Sequence, residues 1–395
     1  MSPGDNGRVS RYSSRFHWDF QTNRLTTALE ERRRLGAEIL DLTQSNPTQA
    51  DLAYPAGMLG AFVDERLLRY DPSPTGMREA REAVAAYYAA RGIGVEPERI
   101  MLTASTSEAY AYLFKLLADP GDEILVPRPS YPLFEFLAQM ESVQVRSYPL
   151  VYHGRWSIDM DGLCSSLNAR TRAIVLVNPN NPTGSYLKCS EFEWLSRVAA
   201  ERDIALIADE VFADYAFAPV PDRMVTLAAA DRGLAFSMSG LSKIAGLPQM
   251  KLGWIVTAGA AAERRQAYDR LEWIADTYLS VSTPVQCAAP RLLVAGEEVQ
   301  RQILHRTRSN LLHARAVFEG SAANLLNVEG GWYLILQVPR IRTEEEWALE
   351  LLEHSGVLVQ PGFFYDFDTD AFLVVSLLTA SPIFHEGLDR IRKCV

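Results

Sequence analysis

The chain has 395 residues, 48% of them hydrophobic and 22% charged, with 39 lysines and arginines against 49 aspartates and glutamates. That length and apolar content can bury two cores, more than one compact domain usually encloses, and the formal charge of -10 argues against a nucleic-acid surface. No apolar run approaches the roughly 18 residues of a membrane span, and the opening MSPGDNGRVSRYSS is polar and reads as frayed rather than as a leader, so a soluble cytoplasmic protein is expected.

In chain order, Arg32, Arg33 and Arg34 follow Glu30 and Glu31 on what reads as a helix, where they are expected to form a solvated face. From about residue 99 to 257, short β-rich runs alternate with helical stretches, the pattern of a parallel sheet with helices on its faces. The runs are 99–103, 123–126, 143–148, 172–177, 203–208, 233–238 and 252–257, with helices expected near 106–118, 132–140, 190–202 and 262–278. Those at 100, 124, 174 and 204 lack polar alternation, as strands covered on both faces should. After Pro284 a helical pattern continues to about Gly320 with a weak point at Gly296. Strand-like runs at 332–338, 358–360 and 372–378 then flank a helix opened by Thr343 and Glu346 at capping-box spacing.

The fold expected is α/β: a mostly parallel central sheet with helices on both faces, plus a smaller α+β domain. Residues 1–45 would form an arm and part of the small domain, 46–290 the large domain and 291–395 the rest of the small one. Cys164, Cys189, Cys287 and Cys394 are far apart with no CxxC pair, which makes a disulfide framework or zinc site unexpected and points to reduced, mostly buried thiols. No metal is expected.

Three strand ends carry the chemistry. VNPNNPTG follows the run at 172–177, ADEVFADY closes the run at 203–208, and SMSGLSKIAGLPQMKLGW follows the run at 233–238. Alone, each has an ordinary reading: two Asn-Pro steps as a rigid turn, Asp209 as a helix cap, Lys243 as an exposed lysine. Together, an amide, a carboxylate and an amine converge on the sheet edge where open α/β sheets bind ligands. A pyridine-aldehyde cofactor requires that set: the amine forms an imine, the acid keeps the ring nitrogen protonated, and the amide holds the ring's phenolic oxygen. TASTSEA at 103–109 leads from a strand into a helix, so Ser105, Thr106 and Ser107 can present amides, hydroxyls and a positive helix end to a phosphate, or simply cap the helix.

With YDPSPTG (70–76), PGDEILVPRPSYP (120–132) and PGFFYDF (361–367), these segments resemble the class I/II, fold type I aminotransferases, in the family's order over most of the chain. The resemblance implies pyridoxal 5'-phosphate bound as a Schiff base to Lys243, Asp209 on the ring nitrogen, Asn181 on the phenolic oxygen and Tyr131 stacked on the ring. It further implies that Tyr70 reaches the phosphate of a neighbouring subunit in a homodimer with shared active sites, and that Ser45 and Asn181 contact substrate. Four departures stand out: Lys251 replaces a phosphate-binding arginine, Gly240 replaces a serine for which Ser239 or Ser242 could compensate, Phe212 replaces a tyrosine, and Val374 occupies the position of the arginine that grips the substrate's α-carboxylate.

The activity expected is transfer of an amino group from an amino acid or amine to a keto acid. Alternatives on the same cofactor are a lyase, decarboxylase or racemase, and a non-catalytic binder. Arg128 and Arg15 are candidate replacements for the missing arginine, and Phe16, Trp18, Tyr54, Trp332 and Phe364 could line an apolar pocket. The donor expected is bulky, apolar or without a free α-carboxylate.

Overall fold

The computed structural model describes residues 12–16, 21–219, 222–369 and 371–395; Trp18 lies outside them, and of Phe16 only the backbone is described. The apolar runs build an eight-stranded sheet in the spatial order Ile100–Thr103, Gly253–Gly259, Leu234–Gly240, Ala205–Asp209, Thr171–Val177, Glu123–Arg128, Gln144–Tyr152, Trp156–Ile158. Gly253–Gly259 runs antiparallel to both neighbours and Trp156–Ile158 antiparallel to its one; the remaining pairs are parallel. The four runs without polar alternation are buried almost throughout.

One face of this sheet packs Ile124, Ile207, Met238 and Ile255 under the helices Thr106–Leu117, Leu133–Met140 and Ala261–Tyr278. The other carries Leu125, Ile174, Leu206 and Trp254 into a larger core. Burying such side chains contributes roughly 1.5–3 kcal/mol each, which makes these two layers the main stabilisation of the site's scaffold.

The helix expected after Pro284 is a single element, Thr283–Phe318. Its first half, through Val299 and Ile303, packs in the large core, whereas Leu311, Ala314 and Phe318 pack in a separate core. The chain thus passes from one core to the other inside this helix. Gly296 does not weaken it: a Cβ there would lie 2.4 Å from Ala245 Cβ, so the glycine lets the helix press against the turn that carries Lys243. The second core gathers the helices Arg24–Arg34, Glu344–Ser355 and Ser381–Cys394 around a four-stranded sheet ordered Asn324–Leu325, Tyr333–Gln337, Phe372–Ser376, Gln360–Pro361. Thr343 and Glu346 form the expected capping box. In the basic run, Arg33 and Arg34 are exposed, but Arg32 turns inward to donate to Glu353 O at 2.7 Å.

All four cysteines are free, and the expectation of mostly buried thiols needs correcting, because Cys164 and Cys189 are exposed at helical surfaces. Among the described residues, no helix is long and apolar enough to cross a membrane, and no group of three His, Cys, Asp or Glu could hold a metal ion.

Candidate active site

Three neighbouring parallel strands deliver the three groups. Thr171–Val177 ends at the Asn178–Gly184 loop, Ala205–Asp209 ends at Asp209, and Leu234–Gly240 runs into the short helix Leu241–Ile244 that bears Lys243. Parallel pairing puts their carboxyl ends at one edge, with Val177 opposite Asp209 and Asp209 opposite Met238.

Asp209 is held at both oxygens. The Val211 amide donates to Oδ1 at 3.2 Å and the buried Tyr110 hydroxyl to Oδ2 at 3.3 Å. Burial pushes the carboxyl up to about 6, while those two donors and the Lys243 charge pull it down. Its neighbour Glu210 points into another network, accepting from Ser237 Oγ at 2.6 Å and the Leu227 amide at 2.8 Å. Strand alternation therefore assigns the two acids of the Asp-Glu pair to different places.

Lys243 is partly buried among aromatic rings. Its Nζ lies 4.8 Å from the Trp332 ring centroid and 5.6 Å from that of Phe212, and donates to Ser45 O at 3.5 Å. Burial lowers the amine to about 8, with the charge of Asp209 working against that fall. Tyr215 fixes the backbone instead: its hydroxyl donates to Lys243 O at 2.5 Å, and its ring packs edge-on to Trp332 at 5.2 Å. That bond uses the Tyr215 hydroxyl proton on the backbone of the lysine turn.

The start of the helix Thr106–Leu117 lies beside the same edge. Ser105 caps the helix Thr106–Leu117, its Oγ accepting from the Glu108 amide at 3.2 Å, while the Ala109 amide bonds Ser105 O. The amides of Thr106 and Ser107 lie in the first turn of the helix, at its positive end, which favours an anion. Gly253 brings this turn to the lysine strand: a Cβ there would lie 3.1 Å from Ser105 C and 3.2 Å from Ser239 O. Gly240 is likewise forced by contact, since its Cβ would meet Leu252 O at 2.8 Å. Ser239 Oγ is buried without a hydrogen-bond partner, whereas Ser242 is only partly buried. Lys251 is exposed, in a left-handed backbone conformation (φ 51°).

A planar polar cofactor fits these residues on one independent ground: Asn181 Oδ1, Ser239 Oγ and Trp332 Nε1 are all buried polar atoms with no partner in the chain, which is costly unless something else satisfies them. Tyr131 is 49% exposed, and Tyr70 is 80% exposed at the edge of a pocket it lines with Pro72, Tyr112 and Gln286.

Neither candidate arginine is brought to Lys243. Arg128 donates to Asp366 O at 2.7 Å and pairs with Asp368 at 3.0 Å, and Arg15 bonds Met140 O at 3.0 Å, beyond the far end of the helix that follows Tyr131. Val374 is fully buried. Tyr54 does not line an apolar wall but donates to Gly246 O at 2.6 Å, bracing the lysine loop, and Phe364 packs between the two cores. Tyr110 was not expected beside Asp209, and Tyr215, a candidate to supply the hydroxyl absent at Phe212, instead bonds the Lys243 carbonyl.

The profile of the family described as aminotransferase class I and II matches residues 39–381. The glutamate-pyruvate aminotransferase of Haemophilus influenzae is 26% identical over 359 residues, covering 87% of each chain, and the bovine tyrosine aminotransferase is 27% identical over 82% of this chain and 73% of its own. In structure, the alanine aminotransferase of Pyrococcus furiosus superposes with a TM-score of 0.88 at 23% identity, covering 97% of this chain and 99% of that one, a likeness of fold.

Proposed function

The chain belongs to the class I and II aminotransferases, a family that depends on pyridoxal phosphate, and from that premise we propose that Lys243 carries the cofactor and shuttles the proton of amino transfer. The observation behind this reading is the convergence of Lys243, Asp209 and Asn181 at the ends of three adjacent strands, beside buried polar atoms that lack partners. When bound, the cofactor supplies an aldehyde that exchanges amines and a protonated ring that withdraws electrons from the substrate carbon.

The chain's own groups do the rest. Asp209, with both oxygens already oriented, holds a proton on the ring nitrogen, and the Asn181 amide positions the ring oxygen. Ser105, Thr106 and Ser107 bind the phosphate, helped by the charge of Lys251. With the cofactor and an amine bound, Lys243 Nζ would take a proton from the substrate carbon and return it at the neighbouring atom; an amine lowered to about 8 has a useful neutral fraction near neutral pH. Trp332 and Phe212 keep water from that amine.

We also propose a homodimer. Leu59, Val63, Leu68 and Val294 are 70–90% exposed on the helix Thr283–Phe318 and the segments preceding Tyr70, an apolar surface that a second copy would cover while seating Tyr70 in the other site. Four free thiols favour a cytoplasmic location. The transaminase reading is tested by offering the holoenzyme a donor panel without a keto acid: conversion of the cofactor to its amine form supports it. Ammonia or carbon dioxide released over many turnovers supports a lyase or decarboxylase instead.

A further inference from the structure

Beyond the cofactor, and resting on the reading that Lys243 carries it, the opposite wall of the site points to a class of substrate. Strand Tyr333–Gln337 pairs antiparallel with Phe372–Ser376, with Ile335 opposite Val374 and Tyr333 opposite Ser376. Alternation puts Tyr333, Ile335, Val374 and Ser376 on one face and Leu334, Leu336, Leu373 and Val375 on the other. The leucine face belongs to the small core; Tyr333, Ile335 and Val374 join the cluster that contains Phe212, Tyr215 and Trp332. This face reaches the lysine through one strap of chain: Ser376 Oγ donates to Gln44 O at 2.5 Å, and Ser45 O receives Lys243 Nζ. On its other side Val374 faces Gln360, which accepts from the Tyr365 hydroxyl.

Among the described residues, the side chains named in that wall are all neutral. Burial drives the Tyr333 and Tyr365 hydroxyls well above 10, so they act as donors and never as charges. The arginine nearest in sequence to Tyr131, Arg128, is committed to Asp366 and Asp368. A carboxylate brought into this wall would lose water and gain no charge-assisted partner, a net loss that neutral hydroxyls offset only in part. Aromatic rings and hydroxyls suit an uncharged body.

We infer that the amine-bearing carbon of the substrate carries no carboxylate: the site takes a primary amine with an aromatic or hydroxyl-bearing body, and the aldehyde or ketone that corresponds to it. The exchange balances without an oxidant. The nitrogen of the substrate amine would pass to the bound cofactor, water would supply the oxygen of the released aldehyde or ketone, and Lys243 Nζ would carry the proton lost from the substrate carbon to the cofactor.

The test uses pairs that differ only by the carboxylate: tyrosine with tyramine, phenylalanine with phenethylamine, serine with ethanolamine. Dissociation constants are measured by calorimetry on the cofactor-loaded Lys243→Ala chain, in which proton transfer is blocked, and single-turnover rates on the wild type. In at least one pair the amine should win by about tenfold or more in both, a difference of roughly 1.4 kcal/mol. Val374→Arg should narrow or reverse that gap. Amino acids that bind or react as well as their amines in every pair, or better, overturn the inference, and the wild-type pairs decide it even if Val374→Arg does not fold. Failure of borohydride to fix the cofactor on Lys243 removes the underlying reading instead, a result distinct from either outcome above.

Discussion

The carboxyl edge of the large sheet and the inner face of the small sheet both border Lys243, and they differ in what they offer a ligand. The edge presents an acid held at both oxygens, a positive helix terminus and partnerless polar atoms at Asn181 and Ser239. The inner face presents Tyr333, Val374 and Ser376, with no charge. Two lobes of one site can therefore diverge separately: on the proposed function the edge would be constrained by the cofactor, and the face only by the substrate.

Substitutions at the edge should hurt most. Lys243→Ala removes the proton shuttle and should lower turnover by about a thousandfold or more; a loss under tenfold in single-turnover rates would break the assignment. The same residue makes the edge costly to fold. The folded amine, at about 8, lies below its ordinary 10.5, so between those values the unfolded chain binds more protons and stability rises with pH; below 8 the penalty is complete. Lys243→Met should stabilise the cofactor-free chain at pH 7 by on the order of 1–3 kcal/mol. Urea midpoints at pH 7 and pH 10.5 check this, since the gain must shrink at the higher pH.

Asp209→Asn keeps the shape but loses the charge, and should cost about a hundredfold in turnover. Tyr110→Phe is subtler. Removing a donor raises the Asp209 carboxyl above its present value near 6, so cofactor affinity should weaken by about tenfold near pH 6 and recover at higher pH. A variant that merely loosens packing would lower the melting temperature and leave the pH midpoint of binding in place. Smallest should be Gly296→Ala. Helix propensity favours alanine by about 1 kcal/mol, yet the contact with Ala245 should make the change destabilising by about 1–3 kcal/mol. A stabilised variant would show that the long helix does not press on the lysine turn.

Much of the edge was legible in the sequence because it is punctuated: buried strands without polar alternation end abruptly at Asn178, Asp209 and Gly240, and the sheet geometry makes such ends meet. Other elements lacked signals. The helix Arg78–Ala89 buries Ala80, Val84 and Tyr88 at four-residue spacing, but Met77 at its start provides no side-chain cap. Strand Trp156–Ile158 is three residues long. Tyr110 was invisible as a site residue because its partner lies 99 positions away in sequence, and a tyrosine in a helix reads as core until the fold closes. The arginines proposed to replace the group missing at Val374 met a similar limit: Asp366 and Asp368, which engage Arg128, approach it only through the tertiary fold.

The central claim, that the large-sheet edge is a working cofactor site centred on one amine, is tested most directly by reducing the purified protein with borohydride and mapping the product by peptide mass analysis. The account predicts one pyridoxyl group per chain, on Lys243. A group found on Lys251 or another lysine, or no group on a folded chain saturated with cofactor, would contradict it.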